Sequence, residues 1–220
     1  MRRDLSAAEI RVLGCLIEKQ RTTPDAYPLS LNSLRLACNQ STNRDPVVDY
    51  DEAEVREALG ALGRRHWIRS ASGHGGRTVK YRHLLEDELP LPDPELAVLT
   101  VLMLRGPQTP GELKQRAARI HAFADLAAVH GALEDLIGRE LARQLPRRPG
   151  QKEVRYEQLL GADLLEAEGA AVAGPEAPVA DGPPPSPEAG AGRTLRDELA
   201  SLRAEVEALA ERVARLEQEH

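Results

Sequence analysis

Asn39, Gln40, Asn43 and Arg44 lie within the stretch ACNQSTNRDPVVDYDEAEV at 37–55. Amide side chains pair in bidentate fashion with adenine edges, and guanidinium groups pair with guanine or phosphate. Arg69, Arg77, Lys80 and Arg82 form a second basic group. Arg143, Arg147, Arg148 and Lys152 form a third. Together these residues have the chemistry of a double-stranded DNA ligand. The first group also has a purely structural reading. Asn39 can end a helix in the left-handed conformation, Ser41, Asn43 and Asp45 are turn formers, and Arg44 can lock the joint by pairing with Asp49 or Asp51.

Other chemistries find less support. The six histidines include His66 and His74 near a hairpin, but no third metal ligand accompanies them at zinc spacing. GHGGR at 73–77 is glycine-rich, yet it lacks the phosphate-loop pattern and precedes no helix. No nucleophile elbow is present, so the sequence implies neither catalytic residues nor a cofactor, and the expectation is a non-enzyme. Cys15 and Cys38 sit in apolar helical patterns without CxxC spacing, as reduced core residues of a cytoplasmic protein do. Trp67 fits as a plug between a helix and a hairpin. The N-terminus has no apolar signal region, and the longest apolar run, Leu96 to Leu104, is too short to span a bilayer.

The net charge of −6 argues against a general nucleic-acid binder. That charge is concentrated at the end. Residues 1–85 carry 14 Lys/Arg against 10 Asp/Glu, residues 90–160 carry 10 against 9, and residues 161–220 carry 5 against 13. The part with globular patterning is therefore mildly basic.

These residues are positioned by a unit that occurs twice. AAEIRVLGCLI at 7–17 resembles DPELAVLTVLM at 93–103. LSLNSL at 29–34 parallels QTPGEL at 108–113, VREALGAL at 55–62 parallels VHGALEDL at 129–136, and TVKYRHLL at 78–85 parallels EVRYEQLL at 153–160. Each unit reads as three helices and a hairpin. Capping signals open the helices at Ser6–Glu9, Ser30, Asp51–Glu54, Asp93–Pro94 and Thr109–Pro110 with Glu112. Apolar stripes run along Ile10, Leu13 and Ile17, along Leu31, Leu34 and Leu36, and along Val55, Leu59 and Leu62. The fold class is mainly α with small β-wings, a tandem winged helix-turn-helix with domains at 1–86 and 90–162.

The segment EKQRTTPDAYPLSLNSLRLACNQSTNRDPV at 18–47 resembles a hallmark of the YceH-like family, bacterial proteins of unassigned function. RGPQTPGELKQRAARIHAF at 105–123 resembles a second hallmark, and the similarity runs from about Leu5 to Leu160. The resemblance implies a tandem winged-helix fold and a cytoplasmic location. It implies no activity, catalytic residue or ligand.

Residues 167–192 are rich in Ala, Gly and Pro, as a disordered linker is. A coiled-coil helix is expected at 193–219. There Leu195, Leu199, Leu202, Val206, Leu209, Val213 and Leu216 alternate four and three apart. Val at a with Leu at d favours a parallel homodimer, and Glu198–Arg203 and Arg212–Glu217 would pair across it. The alternative is a helix packed on its own chain.

The functional expectation is DNA binding, in a transcription-associated role. The alternative is a protein–protein adaptor that uses winged-helix surfaces and the coiled tail. Asp51, Glu52, Glu54 and Glu57 make the third helix acidic, so any DNA contact is expected from the hairpins and the 39–44 joint.

Overall fold

A computed structural model describes residues 4–71, 78–147 and 152–161, all of which belong to one compact unit. The expected linker and coiled-coil helix lie outside the described residues.

The protein is helical with two small antiparallel sheets, in a winged-helix-like arrangement. The first half runs α1 (Ala7–Thr22), a 3-10 turn (Pro24–Ala26), β1 (Leu29–Ser30), α2 (Leu31–Cys38), α3 (Glu52–Arg64), β2 (Ile68–Ala71) and β3 (Lys80–His83). A four-residue α4 (Leu85–Glu88) follows. The second half runs α5 (Asp93–Arg105), α6 (Pro110–Ala117), α7 (Leu126–Gly138), β4 (Ala142–Gln144) and β5 (Tyr156–Gln158). The first sheet has the order β1-β3-β2, and the second pairs β4 with β5.

Local chemistry explains where the helices start. Ser6 with Glu9, Asp51 with Glu54, and Thr109 with Glu112 each form a reciprocal capping box. Ser30 and Asp125 cap α2 and α7 with their side chains. One start differs from expectation. Pro92 is the cap of α5, and Asp93 is already its first helical residue.

The third helix of each half ends the same way. Trp67 N–H donates to the Leu62 carbonyl and His66 N–H to Gly63, while His66 takes a φ of 62°. Leu141 N–H donates to Leu136 and Glu140 N–H to Ile137, with Glu140 at a φ of 58°. Both are Schellman ends, each with a side-chain-bearing residue in the left-handed position. The sheets match too. Leu29 faces Tyr81 across the first sheet, and Gln108 bridges Tyr156 in the second.

The core is shared by the two halves. α1 buries every residue from Glu9 to Ile17, and α5 buries every residue from Glu95 to Leu104. Amphipathic helices bury one face, whereas these two pack against neighbours on all sides. Gly14 allows them to meet closely. A Cβ built there would lie 3.0 Å from Leu104 Cδ2 and 3.3 Å from Met103 Cβ. The chain also closes on itself, since Leu5 N–H donates to the Leu160 carbonyl at 3.0 Å. α2 departs from its expected stripe: Leu34 is buried, but Leu36 is 56% exposed. With only eight residues, α2 turns Leu34, Ala37 and Cys38 inward and has no room for a wider apolar face.

Gly14→Val is expected to destabilise the protein by about 1–3 kcal/mol, because overpacking against Leu104 and Met103 outweighs the small gain in helix propensity over glycine. A urea titration followed by circular dichroism measures it.

Candidate nucleic-acid interface

The joint between α2 and α3 begins with Asn39, the cap of α2, at a φ of −91° and not in the left-handed region. Its amide nitrogen donates to the Tyr50 carbonyl at 2.8 Å and to Asp49 Oδ1 at 3.3 Å, and its Oδ1 accepts from Tyr50 N–H at 3.0 Å. Asn39 thus clips the two ends of the loop together. The left-handed residue is Asn43, at a φ of 61°. Asn43 Oδ1 accepts from Arg105, which comes from α5 in the other half.

Arg44 points inward. Its side chain is fully buried, and its fork meets Glu18 Oε1 at 3.1 Å and Glu18 Oε2 at 2.6 Å. It also donates to the carbonyls of Ala37 and Asn43 and to Gln40 Oε1. The expected partners were Asp49 or Asp51, and the structure supplies Glu18 of α1 instead. Burial lowers the Arg44 pKa, but the hydrogen bonds to Glu18, the Glu18 charge and Cys15 together outweigh it and hold the group above the ordinary arginine value. Arg11 is buried beside it and donates to the carbonyls of Cys38 and Pro46. The Asp45 N–H donates to the Leu104 carbonyl, a further tie to α5.

The first hairpin is different. Arg69 sits directly opposite Arg82, and Ala71 opposite Lys80. Alternation along a strand puts Arg69, Lys80 and Arg82 on one face and turns Ile68 and His83 to the core. All three cations are exposed, and among the described residues none has an ion-pair partner. Like charges directly opposite on a sheet destabilise it by a few tenths to one kcal/mol, up to about 1. Arg77 lies outside the described residues.

The second hairpin neutralises the same place. Arg143 faces Glu157, and its Nε meets Glu157 Oε1 at 2.5 Å. Arg147 donates across the hairpin to the Lys152 carbonyl, and Lys152 is exposed. Arg148 lies outside the described residues. Of the expected ligand residues, the structure gathers Arg69, Lys80 and Arg82 on one open face. It commits Asn39, Asn43, Gln40 and Arg44 to internal bonds.

Other groups are internal as well. Cys15 and Cys38 are buried free thiols. The hydrogen bond that the Cys38 thiol donates to Cys15, and burial, push the Cys38 pKa up. Trp67 is 7% exposed, inside the core. Among the described residues, no three His, Cys, Asp or Glu side chains come together as a metal site, and no helix is long and apolar enough to cross a membrane.

Residues 5–151 match the family model described as "Protein of unknown function, DUF480". A UPF0502 protein of Geotalea daltonii is 53% identical over 161 residues, covering 72% of this chain and 73% of the relative. A UPF0502 protein of Geotalea uraniireducens is 48% identical over 213 residues, covering 95% and 91%. A UPF0502 protein of an Azoarcus species is 47% identical over 216 residues, covering 97% and 89%.

Arg44→Met strands Glu18 in a largely buried place, so the expected cost is about 3–5 kcal/mol in urea unfolding. Adding Glu18→Gln removes the stranded charge and should recover at least about half of that loss. Equal stability of the single variant and the wild type would refute the clasp.

Proposed function

The chain belongs to the DUF480 family of proteins of unknown function, and we propose that it is a tandem winged-helix protein that binds duplex DNA in a transcription-associated role. It grips the phosphate backbone with the first hairpin and does not read bases with a recognition helix. The observation that carries this reading is the exposed Arg69–Arg82 cross-strand pair with Lys80 on the same face. A phosphate between the two guanidinium groups would turn a repulsion into two charge-assisted hydrogen bonds. The repeated order of helices, hairpins and helix ends supports the tandem assignment.

α3 is suited to a position away from the backbone. Its start carries Asp51, Glu52 and Glu54, all exposed. Each unscreened carboxylate–phosphate approach costs on the order of 1 kcal/mol. Gln40, Asn43 and Arg44 support the interface from within, as parts of the clasp.

A second reading is a protein–protein adaptor, and one observation favours it for the second half. Leu126 and Ile137 are 47% and 38% exposed, and they lie about three turns apart on the same face of α7. The tail extends this reading. Its heptad residues, Leu195 to Leu216, would form a parallel two-stranded coil with a second copy.

Arg82→Glu is the discriminating variant, because it reproduces in the first hairpin the arginine–glutamate pair of the second. The fold should be unchanged or stabilised by about 0.5 kcal/mol. Binding to a short duplex, followed by fluorescence anisotropy at low salt, should weaken at least tenfold, and the salt slope should fall by about 1–2. A wild type that does not bind, or a variant that binds equally, would sink the DNA reading. For the tail, light scattering should give a dimer mass for the whole chain and a monomer mass for Leu202→Lys/Leu209→Lys. A monomeric wild type would show that the tail does not associate.

A further inference from the structure

A pocket of about 40 Å³ opens where the 39–44 joint meets α1, α5 and α6. Arg105, Arg116 and Arg119 line it, together with Glu18, Thr22 and Asn43. Among the described residues its only lining carboxylate is Glu18, whose two oxygens are already taken by the buried Arg44 at 3.1 and 2.6 Å. Arg116 leans on Glu112 at 3.4 Å, but Glu112 is shared with Arg155 at 2.9 Å. Arg119 is exposed and has no polar partner among the described residues. Arg105 spends one donor on Asn43 Oδ1. Three guanidinium groups thus line one small cavity whose single lining carboxylate is already held by Arg44.

The walls strengthen any charge placed there. Val101, Leu104 and Ile120 make an apolar floor, which lowers the local dielectric and raises the value of each ionic contact. Burial, then repulsion from Arg116 and Arg44, holds the Arg105 pKa below the ordinary arginine value, with Glu18 and Asp45 offsetting part of the effect. The guanidinium fork matches a tetrahedral oxyanion in bidentate fashion. The volume suits one such group and is too small for a nucleoside.

We propose that the pocket formed by Arg105, Arg116 and Arg119, with Asn43 orienting Arg105, is a binding site for a single phosphate-type oxyanion. The site lies apart from the Arg69–Arg82 hairpin, and it joins a residue of the first half to arginines of the second. Free inorganic phosphate and a backbone phosphate of a nucleic acid offer the same chemistry.

Thermal unfolding of the full chain, with phosphate replacing chloride at constant ionic strength, tests the site. The melting temperature should rise and saturate, by about 3–6 °C at roughly ten times the dissociation constant. Arg119→Gln, an exposed change that leaves the core alone, should weaken the saturable response at least fivefold, and Arg116→Gln/Arg119→Gln should abolish it. Arg82→Glu should retain it, which separates this site from the DNA reading. If duplex DNA displaces phosphate in the wild type but not in Arg82→Glu, the oxyanion is a backbone phosphate of a duplex that the hairpin also holds. If DNA never competes, the ligand is a free phosphate. A rise that does not saturate, or one equal in the arginine variants, reflects the general stabilising action of phosphate and overturns the proposal.

Discussion

A guanidinium removed from water needs a carboxylate and several carbonyls in return, and that requirement organises this protein. Arg44 obtains them only where α1 brings Glu18, α2 brings the Ala37 carbonyl and the joint brings Gln40 and the Asn43 carbonyl. Arg11 makes a parallel demand on the Cys38 and Pro46 carbonyls. The joint is polar because it is an internal fastening. Asn43 and the Asp45 N–H then carry the fastening to α5. The α1–α5 approach at Gly14 and the polar clasp hold the same pair of helices, one by apolar contact and one by charge.

The features that the two halves share make the differences between them informative. Each hairpin follows a Schellman end and pairs a tyrosine strand with the segment before the second helix. At one matched position the first copy holds Arg82 opposite Arg69 and the second holds Glu157 opposite Arg143. A neutralised pair serves folding. An unneutralised pair on an exposed face costs stability and has a use only if something anionic meets it. The same reasoning applies to the surplus of arginines at the cavity beside Asn43.

Much of the local structure was legible in advance, because its causes are local. Capping boxes involve residues three apart, and the stripe of α3 follows a helical period, whereas α1 is buried all round from Glu9 to Ile17. β1, the 3-10 turn and α4 were not legible. Their two to four residues carry too little pattern, and β1 exists only because β3 lies beside it. Among the candidate ligands, Arg69, Lys80 and Arg82 were identified from charge and hairpin position. Their cross-strand contact depends on register, which the glycine-rich turn does not announce. Arg105, Arg116 and Arg119 all stand within the 105–123 segment, but no sequence pattern marks them as a group, because Asn43 and Glu18 meet them only in the fold.

The chain's own order of residues determined the repeat, the helix starts, the apolar faces and the excess of cations at the hairpins, since these depend on neighbours a few positions apart. Tertiary structure alone decided which charges stay open. Glu18 lies 26 residues from Arg44, and Arg105 lies 62 from Asn43. Such partners meet only when packed helices bring distant positions together, and for the buried Arg44 an unmatched charge would be too costly to keep.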